Sequence, residues 1–180
     1  MTNKEVATSS PSLSHLVIAQ EALHHRLLPV LRGRVFHVTT PSAYRSISEQ
    51  GVILAHPPGS VEQWDYDAYF RSANCVSLCD LRSLDDEQLK TALAAYYFLA
   101  PRHDSDPVFL VLGPDAEAQV ITYDDAISQG ARKKMIVPFI EAGFEGDLDL
   151  DLIEQVVTVE VVRPPPGPHF QALLKYGRRP

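Results

Sequence analysis

Three short apolar stretches of the chain each contain a polar side chain able to bind a ligand or take part in a reaction. The stretches are RVFHVT at 34–39, NCVSLC at 74–79 and PFIEA at 138–142, and they contain His37 with Thr39, Ser77, and Glu141. Successive side chains of a strand point to opposite faces, so His37 and Thr39 share one face. Burying such groups costs free energy unless they find hydrogen-bonding partners. We therefore expect His37, Ser77 and Glu141 to converge on one cleft.

The elements that would hold these residues follow from the hydrophobic pattern and the capping residues. After the 34–39 strand, Thr40 is a good helix N-cap, Pro41 suits the first helical position and Gly51 suits a left-handed C-cap. The uninterrupted apolar run at 108–112 predicts a buried central strand. The other expected elements are a helix over 15–31, a strand at 52–54, a loop at 55–70, a helix capped by Ser83, a short strand at 119–122, an edge or bulged segment at 134–144 and a strand at 156–162.

Short strands interspersed with helices indicate a mixed α+β fold. Few of the connections look like the regular crossovers of a doubly wound parallel sheet. The chain has 180 residues, enough for one domain. We assign 1–12 to a flexible tail, 13–163 to the domain, and 164–180 to a proline-rich stop followed by a basic helix or tail.

Composition and charge limit the classes of partner and compartment. The net charge of -7 disfavours non-specific coating of nucleic acid, although the basic cluster at 132–134 suits a local contact with an anionic target. With only two cysteines, no apolar run of transmembrane length and no apolar signal core at the N-terminus, we expect a cytoplasmic protein without a membrane partner. Cys75 and Cys79 are expected to be buried as small apolar side chains. No metal site is predicted, because the histidines form no recognisable ligand motif.

The order and spacing of three motifs resemble the ADP-ribosyltransferase-like superfamily, in its nucleic-acid-targeting toxin form. The motifs are VFHVTTPSAYRSISEQGVI at 35–53, ANCVSLCD at 73–80 and PFIEAGFEGDLDLDLIEQVVTVEV at 138–161. The resemblance implies a split mixed β-sheet with flanking helices. It also implies NAD+ as a co-substrate, a nucleic acid or protein as acceptor, and an antitoxin protein as partner. Phe139 stands where the common form of the motif has Gln or Glu, which argues against modification of protein arginines.

The resemblance assigns roles to four residues, and chemistry adds Thr39 and the loop aromatics. Glu141 corresponds to the catalytic glutamate, and His37 to the first-strand histidine near the ribose. Ser77 lies beside the nicotinamide position, and Arg71 is placed to meet the pyrophosphate. Chemistry supports these types of residue, since a carboxylate stabilises an oxocarbenium-like centre and a guanidinium pairs with pyrophosphate. Thr39 is a further donor for the sugar. Stacking on nicotinamide suits an aromatic of the 55–70 loop, with Tyr69, Trp64, Tyr66 and Phe70 as candidates.

Plainer interpretations stay open for each residue. His37 also fits a core histidine, Glu141 an exposed loop carboxylate near Lys133, and Ser77 a small residue packed in a strand. Arg71 also fits a surface ion pair with Asp65 or Asp67. At the level of function, the alternative is a non-catalytic module of the same fold that binds a protein or nucleotide. Transfer of an RNA 2′-phosphate to NAD+ would need more Arg and His groups around the phosphate than the sequence provides.

Overall fold

The computed structural model describes residues 10–56, 69–99 and 106–163. Its strands are β1 Ser12–Ala19, β2 Val35–Thr39, β3 Val52–Ile53, β4 Cys75–Asp80, β5 Val108–Leu112, β6 Glu141–Glu145, β7 Leu148–Asp149 and β8 Ile153–Val162. Its helices are α1 Leu23–Leu31, α2 Pro41–Gln50, α3 Tyr69–Ser72, α4 Asp86–Ala95, α5 Pro114–Glu117 and α6 Tyr123–Ser128. Six strands form one sheet in the order β1-β8-β5-β2-β4-β6, and β3 pairs with β7 separately. Only the β1–β8 pair of the large sheet is parallel, so the mixed α+β class is confirmed.

The sheet opens between β2 and β4. These two strands pair only at Val35–Asp80 and Phe36–Cys79. Beyond Phe36, β2 continues along β5 as far as Thr39, while β4 continues along β6 over five residue pairs. The last three residues of β2 and the first four of β4 therefore face a gap instead of each other.

Helix α2 forms one wall of this gap, and its ends match the sequence prediction. The Thr40 side chain accepts a hydrogen bond from the Ala43 N–H at 3.3 Å, and Pro41 occupies the first turn. Gly51 ends the helix with φ 74°, a left-handed conformation that favours glycine. The chain then enters β3, so the short capped helix α2 brings the backbone back to the open end of the gap.

Buried apolar residues form three clusters. The first core includes Leu27, Leu31, Phe36, Phe109 and Val157, and the second includes Val35, Val76, Leu110, Ile153 and Val156. The third core is small and comprises Phe70, Cys75, Ala126, Ala131 and Ile136. All five residues of β5 are buried, which confirms the predicted central strand. The buried environment predicted for Cys75 and Cys79 is also confirmed.

Several predicted elements are wrong in position or type. The expected helix over 15–31 is instead strand β1, a 3₁₀ turn at Gln20–Ala22 and then α1. Parallel pairing of all eight β1 residues with β8 outweighs the helical spacing of the leucines. Helix α4 begins at the cap Asp85, not Ser83, because Asp85 and Gln88 form a reciprocal capping box.

Two further differences lie near the C-terminal half of the sheet. The expected strand at 119–122 is reduced to one bridge, between Ile121 and Gly143. In the 134–144 segment, a 3₁₀ turn at Lys133–Met135 precedes β6, which begins only at Glu141. The expected edge position is confirmed, since β6 ends the strand order of the large sheet.

Candidate functional site

A cavity of about 500 Å³ occupies the gap between β2 and β4. Its volume lies within the range typical of small-molecule sites. Four of the six predicted site residues line it, namely His37, Thr39, Ser77 and Arg71. Helix α2 and the segment from β3 onward supply most of the remaining wall. The β2–β4 opening therefore provides a cleft that four of the sequence-predicted polar residues share.

His37 bridges the gap. Its Nδ1 lies 2.9 Å from the backbone oxygen of Ser77. A carbonyl oxygen only accepts, so Nδ1 carries the proton and donates it to this hydrogen bond. The contact fixes the ring orientation at the point where the two strands separate. His37 is thus a polar link across the floor of the cavity, not an apolar core residue.

Glu141 begins β6, and its carboxylate is held by two groups. The Val137 N–H donates to Oε2 at 2.6 Å, and the Ser77 side chain also hydrogen-bonds the carboxylate. Burial raises the pKa of Glu141, because desolvation penalises the charged form, while both hydrogen bonds favour the charged form and oppose that rise. The interpretation of Glu141 as an exposed loop carboxylate does not fit this partly buried, hydrogen-bonded position.

Glu141 does not line the 500 Å³ cavity. The ladders pair Cys79 with both Phe36 and Glu141, so Glu141 lies on the sheet face of Phe36 and His37 on the other. Ser77 connects the two sides, since its backbone oxygen accepts from His37 and its side chain contacts Glu141. The single cleft expected from the sequence is therefore divided, with His37 in the cavity, Glu141 behind it and Ser77 between them.

Tyr69 lies at a different place from the other predicted cofactor residues. It lines a smaller cavity of about 190 Å³, and its ring packs edge-on against Phe70 at 5.2 Å between ring centroids. The structure therefore separates Tyr69 from His37 and Thr39. Trp64 and Tyr66, together with Asp65 and Asp67, lie outside the described residues, as does most of the 55–70 loop.

One stripe of helix α2 was missed as part of the site. Ala43, Ser46, Ile47 and Gln50 all line the large cavity. Their spacing of three, four and seven residues places them on one face of a helix, a signal that the sequence contains. Taken with Thr39 just upstream, this spacing predicts that α2 turns a partly polar face toward the end of β2.

A strained residue lies close to Glu141. Phe139 has φ 66°, which is rare for a bulky side chain, and its ring lies 5.6 Å from that of Tyr123. Strained backbone of this kind persists only where the surroundings enforce it. Here the turn brings the Val137 N–H onto the Glu141 carboxylate two residues later.

Neither a metal centre nor a membrane helix emerges from the described ranges. No group of three His, Cys, Asp or Glu side chains within 10–56, 69–99 and 106–163 is arranged to hold a metal ion. Over the same ranges, every helix is too short or too polar to cross a bilayer. Comparison with known protein families, with curated proteins and with solved structures found no match to this chain.

Proposed function

We propose that the protein is an NAD+-dependent ADP-ribosyltransferase, with a sheet split between β2 and β4 as the superfamily resemblance implies. The observation that carries the proposal is the position of Ser77. This residue lines a ligand-sized cavity and contacts a partly buried carboxylate, and both are features that cleavage of NAD+ needs. The three motifs that suggested the resemblance supply His37, Ser77 and Glu141 to this arrangement.

In the proposed complex, NAD+ occupies the large cavity. The Arg71 guanidinium pairs with the pyrophosphate, and His37 and Thr39 hydrogen-bond the ribose on the nicotinamide side. The apolar wall formed by residues such as Ile47 and Ile53 covers the non-polar parts of the ligand. The cavity volume and its few polar groups are typical of sites that orient a small ligand.

The proposed reaction breaks the bond between nicotinamide and ribose C1′ and forms a bond from C1′ to an acceptor atom. Nicotinamide leaves as a neutral molecule, the ribose passes through an oxocarbenium-like state, and the acceptor loses a proton. The Glu141 carboxylate stabilises the developing positive charge, which requires its ionised form. Because Glu141 lies behind Ser77, in this proposal the carboxylate acts on the ribose across the Ser77 side chain while it stays on the Val137 N–H.

Replacing Glu141 tests this role. Glu141→Gln keeps the size of the side chain and an oxygen for the Val137 N–H, but it removes the charge. Turnover of NAD+ should fall by about 10²–10³, with little change in NAD+ affinity. Glu145→Gln is the matched control, since Glu145 is an exposed carboxylate on the same strand. Chromatographic measurement of nicotinamide release gives the result, and equal turnover by Glu141→Gln and the parent would exclude the proposed role.

A second candidate function is a non-catalytic module of this fold that binds a nucleotide. The observation that favours it is the absence of Glu141 from the cavity lining, together with the satisfied state of its carboxylate. In that case, calorimetry should detect NAD+ or a related nucleotide bound in the cavity without release of nicotinamide. Glu141→Gln would then leave binding unchanged, whereas substitution of Arg71 would weaken it.

The acceptor in this proposal is a nucleic acid or a protein, and the wider proposal is a cytoplasmic toxin restrained by an antitoxin protein. Transfer of radiolabelled ADP-ribose to separated nucleic acid and protein fractions distinguishes the two acceptors. Growth arrest on expression of the parent chain, but not of Glu141→Gln, would support the toxin proposal. Growth arrest by both would contradict the link between toxicity and this site.

A further inference from the structure

The third core joins the segments that carry two of the predicted site residues. Phe70 of α3 is fully buried in it, together with Ile136 from the segment ahead of β6. Cys75 at the start of β4 completes the contact with the sheet, and α6 covers the cluster through Ala126. Four separate segments thus meet around one aromatic ring.

The Phe70 ring packs directly on the backbone of β6. A Cβ atom at Gly143 would lie 2.1 Å from Cδ1 of Phe70 and within 3 Å of two further ring atoms. Gly143 pairs with Ser77 and lies two residues after Glu141. The Phe70 ring occupies the space that a Cβ atom of residue 143 would take, so it lies on the same sheet face as the side chains of Ser77 and Glu141. Glycine at 143 provides the room that this contact needs.

The third core contacts two segments, one that carries Arg71 and one that supports Glu141. Arg71 follows Phe70 in the four-residue helix α3 and lines the large cavity. Ile136 precedes Val137, whose N–H donates to the Glu141 carboxylate. A shift of the Phe70 ring would therefore move both the Arg71 guanidinium in the cavity and the Val137 N–H that supports the partly buried Glu141 carboxylate.

We infer that Phe70, packed on Gly143, and Ile136 are positioning residues that hold Arg71 in the cavity and the Glu141 carboxylate on the Val137 N–H. The inference rests on the proposed function for the ligand that Arg71 meets, whereas the packing itself does not depend on that function. Without the ring, α3 loses its only fully buried side chain, and the short helix has no comparable anchor. Precise placement of this kind strongly affects rate, since displacement by about 1 Å can cost as much as 10²-fold.

Phe70→Leu tests the inference against Phe98→Leu, which shortens an equally buried ring in the first core. Phe70→Leu should raise KM for NAD+ and lower kcat, each by roughly tenfold. It should also move the acid limb of the pH–rate profile to higher pH, because a displaced Val137 N–H no longer favours the charged form of Glu141. Phe98→Leu should lose stability while leaving KM and the acid limb in place.

A milder pair covers the case in which Phe70→Leu fails to fold. Ile136→Val removes one methylene beside Val137, and Ile18→Val makes the same change in the first core. For these variants, the Glu141 carboxyl is also titrated by ¹³C NMR without any nucleotide. A higher Glu141 pKa in Ile136→Val but not in Ile18→Val supports the inference, since the Val137 N–H contact lowers that pKa.

The two proposals fail in different ways. If the parent protein neither binds nor turns over NAD+, the proposed function is wrong, and the NMR titration still decides whether the third core positions Glu141. If Phe70→Leu and Ile136→Val match their controls in both KM and the Glu141 titration, the positioning inference is overturned while the proposed function stands.

Discussion

Strand β4 has a different relationship with its neighbour on each edge. Toward β2 it pairs at two positions and then separates, leaving a cavity lined by His37 and Thr39. Toward β6 it pairs continuously over five positions, and this ladder carries Glu141. One edge therefore provides space for a ligand, while the other provides a rigid support for a partly buried carboxylate. Ser77 is the residue of β4 that contacts both.

Removing the Ser77 hydroxyl should have the largest effect on this arrangement. Ser77→Ala leaves the β4–β6 ladder intact but takes one hydrogen bond from the Glu141 carboxylate. A hydrogen bond to a charged group contributes about 1.5–3 kcal/mol, so turnover of NAD+ should fall by about 10- to 100-fold. The acid limb of the pH–rate profile should also rise, since a group that favours the charged form is lost. The measurement is kcat as a function of pH.

Ser14→Ala provides the control for the Ser77 variant, because it removes a hydroxyl from β1, away from the cavity. Ser14→Ala should keep the pH–rate profile of the parent protein. A Ser77→Ala protein with unchanged kcat and unchanged acid limb would show that the two edges of β4 act independently.

Substitution of Arg71 should affect only the β2 side of β4, where the cavity lies. Arg71→Gln removes a cavity charge without touching the β4–β6 ladder, so KM for NAD+ should rise about tenfold and kcat should change little. Arg45→Gln is the matched control, since Arg45 is exposed on α2 and does not line the cavity. Steady-state kinetics with both variants gives the result. A drop in kcat at unchanged KM would instead assign Arg71 to the chemical step.

The smallest expected effect is on the stability of the protein and comes from Glu141, on the β6 side of β4. Burial raises the pKa of Glu141, so its carboxyl binds a proton more tightly in the folded than in the unfolded state. The free energy of unfolding should therefore fall as pH rises through the window between the unfolded and folded pKa values, and stay lower above it. Glu141→Gln should lack this fall and be slightly more stable at neutral pH. Urea unfolding of both proteins across the acid pH range measures the free energy of unfolding. A Glu141→Gln protein less stable than the parent at neutral pH would contradict the predicted direction.

Local chemistry made parts of this structure predictable. The α2 caps are set by Thr40, Pro41 and Gly51 themselves, and the burial of β5 follows from five consecutive apolar residues. His37, Thr39 and Ser77, which line the cavity, could be singled out because they are polar groups that interrupt apolar strands. The sequence did not reveal that some of the predicted residues line a cavity while Glu141 lies behind it. That separation follows from the opening between β2 and β4, which depends on pairing between distant segments. Strand β1 was misjudged for the same reason, since its partner lies more than 140 residues away in the sequence.

The pairing of β1 with β8 has a consequence for how the chain matures during synthesis. The partners of residues 12–19 are residues 155–162, which are made more than 140 residues later. At about 5–20 residues per second, the first strand waits on the order of ten seconds or more before its neighbour exists. During that interval, an apolar strand with unpaired backbone groups is open to contacts with other chains. The outer edge of the sheet therefore closes late, and conditions that slow translation should increase the need for chaperones.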